Sequence, residues 1–142
     1  MLPKINEQLT ALPTFTPQKW QTVILRNYGL VSNEILALVL KTDEKTIINE
    51  AKRLGLENIK YEPKWEKLGY ITIIRNNWHL LPYEQLIPLL NTDEETLDYN
   101  LREDDFLNVK LGLIKSDCEP IYYTPLNEEE KQKTEDLVNE WI

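Results

Sequence analysis

Apolar positions recur at helical spacing along most of this chain, and they do so twice in the same order. Trp20, Val23, Ile24 and Asn27 share one face of a first helix, and Ile35, Leu36, Val39 and Leu40 one face of a second. Ile47, Ala51 and Leu54 repeat the pattern in a third. The punctuation agrees with these helices. Thr16-Pro17 reads as an N-cap followed by proline at the first helical position, and Gly29 as the residue that stops the helix. Ser32 caps the second helix, Thr42 or Asp43 the third, and Gly55 ends it. Further along, Pro63 opens a helix bearing Trp65, Leu68, Ile71, Ile74 and Arg75, followed by helices near 82–90 and 93–103. Thr92 with Glu95 has capping-box form, as an alternative to Asp93 as the cap.

The octet "LKTDEKTI" (40–47) returns as "LNTDEETL" (90–97), and the likeness extends outward to 24–56 against 73–106. Arg26-Asn27 aligns with Arg75-Asn76 at a separation of 49, whereas everything from Glu34/Glu84 onward aligns at 50. One residue inserted after the first helix accounts for the difference. Two copies at this period predict a duplicated helical unit, not a long solenoid. From 106 to 126 the β-branched and aromatic residues, with Gly112 and two prolines, predict an extended run or a small hairpin. A last helix starts at Asn127, with Leu137, Val138, Trp141 and Ile142 crowded at its end, so it should dock its last turns or continue into something further. The expected fold is therefore all-α: two tandem three-helix, helix-turn-helix-like repeats at 1–61 and 62–112, then an extended segment and a C-terminal helix at 113–142. A single three-helix unit of this size is marginal alone, so the repeats are expected to share one core.

Composition changes this picture little. The 142 residues are 42% hydrophobic and 28% charged, as in ordinary globular chains. A net charge of -8 repels DNA and anionic membranes unless a local basic face overrides it. One cysteine, Cys118, cannot close an internal disulfide, and with one histidine, His79, no zinc-type cluster can form. No cofactor is expected: glycine loops and dinucleotide fingerprints are lacking, as is a nucleophile elbow. The N-terminus has neither the basic start nor the apolar stretch of a secretion signal, and no segment reaches the length of a membrane span, so a cytoplasmic chain is expected.

Residues 31–56 resemble a helix-turn-helix unit, through Glu34, the small Ala37 at the helix crossing, Leu40 before a tight turn, the polar cap Asp43, Thr46-Ile47 and the closing "AKRLGL". Such a unit would read DNA through Lys41, Lys45, Asn49 and Lys52. Against that, 43–54 holds three acids and three bases, and 93–104 holds six acids against Arg102 alone. Carboxylates in the second stretch would meet phosphate repulsion in a major groove. Of the other chemistry-bearing residues, Asp104-Asp105 reads as a paired cap or surface and His79 as a turn residue. The acidic neighbours Asp117 and Glu119 argue against a reactive Cys118. Most of the aromatic residues are expected in the core, although two or three together on the surface would anchor a partner.

The stretch "LPYEQLIPLLNTDEETLDYNLREDDFLNVKLG" (81–112) and the following "CEPIYY" resemble the N-terminal helical region of large bacterial proteins whose later domains look like carbohydrate-active, glycoside-hydrolase-like enzymes. That resemblance implies an accessory module leading into a further domain, and it names no catalytic or sugar-binding residue here. The expected function is a non-catalytic accessory or protein-interaction module. A DNA-binding regulator working through residues 32–54 is the alternative.

Overall fold

The computed structural model describes residues 2–11, 14–64, 69–103 and 114–141. Among these, seven helices and two short strands follow in the order β1 (Ile5–Thr10), α1 (Lys19–Asn27), α2 (Asn33–Leu40), α3 (Glu44–Arg53), α4 (Tyr70–Asn77), α5 (Tyr83–Leu89), α6 (Glu94–Glu103), β2 (Lys115–Asp117) and α7 (Glu128–Trp141). The fold is mostly helical, as the periodicity predicts. It departs from a purely α class through the pairing of β1 with β2, which is parallel and aligns Ile5 with Lys115, Asn6 with Ser116 and, after an irregularity, Thr10 with Asp117. A hairpin would have paired β2 with a neighbour in sequence; here its partner is the start of the chain. Of the extended run expected from 106 to 126, residues 106–113 lie outside the described residues, as do Asp104-Asp105, residues 65–68 of the fourth expected helix, and Ile142.

The chain divides into two compact units, each drawing on segments distant in sequence. One comprises Met1–Leu12 and Lys64–Pro120, the other Pro13–Pro63 and Ile121–Ile142. In the second, α1, α2 and α3 bury the predicted apolar faces, with Trp20, Val23, Ile24, Leu36, Leu40, Ile47 and Ala51 each 1% exposed or less. Tyr123 completes this core by stacking on Trp20, ring centroids 4.8 Å apart and nearly parallel, while its N–H donates to the Leu40 carbonyl at 2.9 Å. Helix α7 joins the same unit through the buried Thr134, which accepts from Gln21 Nε2 at 2.8 Å, and through a Gln18–Glu130 side-chain bond. In the first unit, Ile74, Trp78, Leu86, Leu97 and Leu101 form the buried cluster.

The helices begin and end where side-chain chemistry permits. α1 starts at Lys19 and not at Pro17, because Gln21 reaches back to accept from the Gln18 N–H at 2.9 Å. Thr16 instead shares a 2.7 Å hydroxyl contact with Thr22. Ser32 caps α2 by accepting from the Ile35 N–H at 3.3 Å. Between the two candidates for the next cap, Asp43 serves, accepting from the Thr46 N–H at 2.8 Å, and Asp93 does the same with Thr96 at 2.7 Å. Asn127 and Glu130 cap α7 reciprocally, each side chain accepting from the other's N–H, at 2.8 and 3.0 Å.

Several of these bonds recur at positions 50 apart in the two units. Asn27 Nδ2 donates to the Val23 carbonyl at 2.8 Å, and Asn77 Nδ2 to the Ile73 carbonyl at 2.7 Å. Among the described residues, Lys41 and Asn91 are the non-glycine residues of positive φ, at 56° and 52°; Lys41 directly follows α2 and Asn91 lies two residues past the end of α5. The two asparagine bonds lie 50 positions apart, whereas the Arg26-Asn27 and Arg75-Asn76 pairs lie 49 apart.

Candidate functional site

The polar residues with the most unusual surroundings converge where β2 meets the end of α4 and the start of α5, all within the first unit. The Ile114 carbonyl just before β2 accepts from Trp78 Nε1 at 2.7 Å, and the Lys115 N–H donates to the Lys4 carbonyl at 3.2 Å. Those two bonds fix the strand so that Lys115 and Ser116 point inward, 0% and 1% exposed. The Lys115 ammonium lies 5.7 Å from the Trp78 ring centroid and 5.6 Å from that of Tyr83, whose rings meet edge to face. Nζ donates to the Ser116 carbonyl at 3.3 Å and approaches Cys118 Sγ at 3.5 Å. Burial is the main force on this amine and pushes its pKa down, opposed by Cys118 and then Asp117.

The remaining groups form a short relay. Ser116 Oγ lies 3.4 Å from Cys118 Sγ, donates to the Trp78 carbonyl at 3.4 Å and contacts His79 Nδ1 at 3.1 Å. His79 is held below its usual pKa, first by burial and then by the Lys115 charge. Tyr83, its hydroxyl donating to the Pro3 carbonyl at 2.6 Å, is pushed well above the ordinary phenol range by burial, so it stays protonated. Cys118 itself is 8% exposed, whereas Asp117 and Glu119 are exposed. The acidic neighbours that argued against reactivity thus turn outward, and a buried lysine amine takes their place beside the sulfur.

Nothing in the local sequence marks Lys115 as buried, since a lysine in a polar-looking "IKSDCE" reads as surface. The signal that exists is indirect: a buried indole at 78 requires an acceptor, and β2 supplies it. Among the described residues, no three His, Cys, Asp or Glu side chains converge as a metal site would need. Grooves on this unit are lined elsewhere, one by Lys4, Ile5, Asn6, Glu7, Gln8 and Ile114, another by Tyr70, Ile74, Leu90, Asn91, Thr92, Thr96 and Asn100.

The residues proposed from sequence for DNA reading lie in the second unit. Lys41, Lys45, Asn49 and Lys52 are all exposed. Helical spacing puts Lys45, Asn49 and Lys52 along one stripe of α3, where Ile48 is 48% exposed beside them. Lys41 lies apart from that stripe, at the left-handed end of α2, with its ammonium 4.4 Å from the Tyr122 ring centroid. On α2 itself Glu34 and Leu38 lie on the exposed side, with Lys41 just past its end, and Leu38 is 69% exposed. Among the described residues, no helix is long and apolar enough to cross a membrane. Comparison with protein-family models, curated proteins and solved structures finds no match for this chain.

Proposed function

We propose that this chain is a non-catalytic, cytoplasmic helical interaction module that docks a protein partner or a further domain of its own polypeptide. The observation that carries the reading is the exposed side of α2, where Leu38 is 69% exposed, three residues before Lys41, whose ammonium lies 4.4 Å from the centroid of the partly exposed Tyr122 ring. An exposed large aliphatic side chain, with a cation one helical turn on and an aromatic ring under that cation, has the composition of a protein contact. Trp141, 47% exposed on the end of α7, supports it, because the half-buried Leu137 and Val138 precede it on the same helix. A photo-crosslinking amino acid at position 38, expressed in the native cell, is expected to give one discrete adduct, and none at the exposed control position 57. No adduct at 38, or the same ladder at both positions, would remove this reading.

The architecture proposed to carry the surface is a duplicated three-helix unit. Its supports are the matching Asn27/Asn77 back-bonds, the Asp43/Asp93 caps and the left-handed backbone at Lys41 and Asn91. Duplication then serves burial, and the copies are free to diverge outside. The bacterial resemblance of residues 81–112 makes a downstream domain the partner, and the complete open reading frame tests that directly.

A second reading, DNA binding through the α3 stripe of Lys45, Asn49 and Lys52, is favoured by their shared exposure. It is weakened by Glu44 in the same first turn and by the acidic α6. Titration of mixed duplexes at low and moderate salt separates the two. Salt-sensitive binding lost on Lys45→Glu and Lys52→Glu supports the regulator, whereas silence at low salt eliminates it.

A further inference from the structure

Independently of that docking role, we propose that Lys115 and Cys118 form a peroxide-responsive pair, in which the oxidised sulfur is captured by the lysine amine as a sulfenamide. Two observations meet here. Cys118 is 8% exposed as a residue, and Lys115, whose amine lies 3.5 Å from its sulfur, is wholly buried. Lys115 makes no carboxylate ion pair among the described residues, and its partners in hydrogen bonding are the Ser116 carbonyl and the sulfur itself. A buried ammonium without a carboxylate partner is shifted toward the neutral amine, which is the form that carries a nucleophilic lone pair. Burial lowering the Lys115 pKa agrees with this geometry.

The chemistry balances with hydrogen peroxide as the named oxidant. The Cys118 sulfur attacks one peroxide oxygen: an S–O bond forms, the O–O bond breaks, and the thiol proton leaves with the departing oxygen as water. Sulfur is oxidised by two electrons and the peroxide is reduced. Next, the Lys115 Nζ lone pair attacks the sulfenic acid sulfur. The S–N bond forms, the S–O bond breaks, and hydroxide departs with one amine proton as a second water. Trp78 and Tyr83 wall the amine, and Ser116 Oγ lies 3.4 Å from the sulfur. The product ties up the buried amine and closes a ring spanning residues 115 to 118. External thiol reverses it by attacking the sulfur and releasing the amine.

The test treats the intact chain with hydrogen peroxide under native conditions and reads its mass. A species lighter by two hydrogens, about 2 Da, is expected, mapping to a peptide that contains both residues and restored by dithiothreitol. Trypsin should no longer cut after Lys115 in that species. Lys115→Met should instead accumulate a sulfenic acid trapped by dimedone, and Cys118→Ser should give neither product. Circular dichroism of each variant checks its fold, and the wild-type mass stands as evidence if Lys115→Met does not fold. Dimedone labelling or heavier oxygenated products from wild type without the lighter species, a disulfide-linked dimer in its place, or a thiol inert to peroxide would each overturn the proposal.

Discussion

Two kinds of residue set local stability here: those with left-handed backbone, and those whose proton affinity folding alters. Gly29 has φ +87°, and a Cβ built on it would meet Ile59 Cγ2 at 2.5 Å. Gly29→Ala should therefore cost about 1–3 kcal/mol in denaturant titration, combining backbone strain with displacement of Ile59. The converse holds at Asn91, φ 52°, where Asn91→Gly should match or exceed wild type by up to about 1 kcal/mol. A clear loss there would refute the strain argument. Toward acid pH, His79 and the two capping aspartates act in the same direction. His79 takes its proton near 6.5 when unfolded and at lower pH when folded, so the unfolded chain binds more protons as pH falls through that value and stability drops. Unfolding midpoints at pH 7 and pH 5 should differ in wild type and differ less in His79→Gln; parallel shifts in both would discount this histidine. Asp43 and Asp93, held low chiefly by hydrogen bonds from Thr46 and Thr96, add stability that is present above the ordinary 3.8 and is lost at more acid pH.

At the scale of elements, caps and apolar faces were legible because each depends on residues within one turn. Ser32, Asp43 and Gly55 act where the sequence places them, and Leu36, Leu40, Ile47 and Ala51 are buried as their spacing implies. The sheet was not legible. "INEQLT" has no β-branched run, and its strand exists only because a segment 110 residues later pairs with it. The candidate site shares that fate: Lys115 is inward because β2 is held between Lys4 and Trp78, which no local pattern encodes. Helix α5 offers a further test. Pro88 lies inside it and removes an N–H from the ladder. Pro88→Ala should stabilise the first unit by up to about 3 kcal/mol, read as a higher melting temperature. An unchanged or lower temperature would mean that the proline ring contributes packing that outweighs the missing bond.

For the whole molecule, the decisive fact is the order in which the chain visits its two units. Residues 1–12 belong with 64–120, and 13–63 with 121–142. Peptides 1–63 and 64–142 made separately should each unfold without a cooperative transition, since the former lacks Tyr123 against Trp20 and the latter lacks β1 against β2. Mixed at equal concentration they should regain helicity and a cooperative melt by circular dichroism. A sharp transition in 1–63 alone would contradict this partition. The same threading bears on behaviour at high concentration. Because each half is finished by a stretch that arrives from beyond the other, two molecules can trade their outer arms without breaking any contact type found in one. The expected by-product of crowded refolding is a reciprocal pair, bonded natively throughout, that reverts to single chains only as slowly as the arms let go.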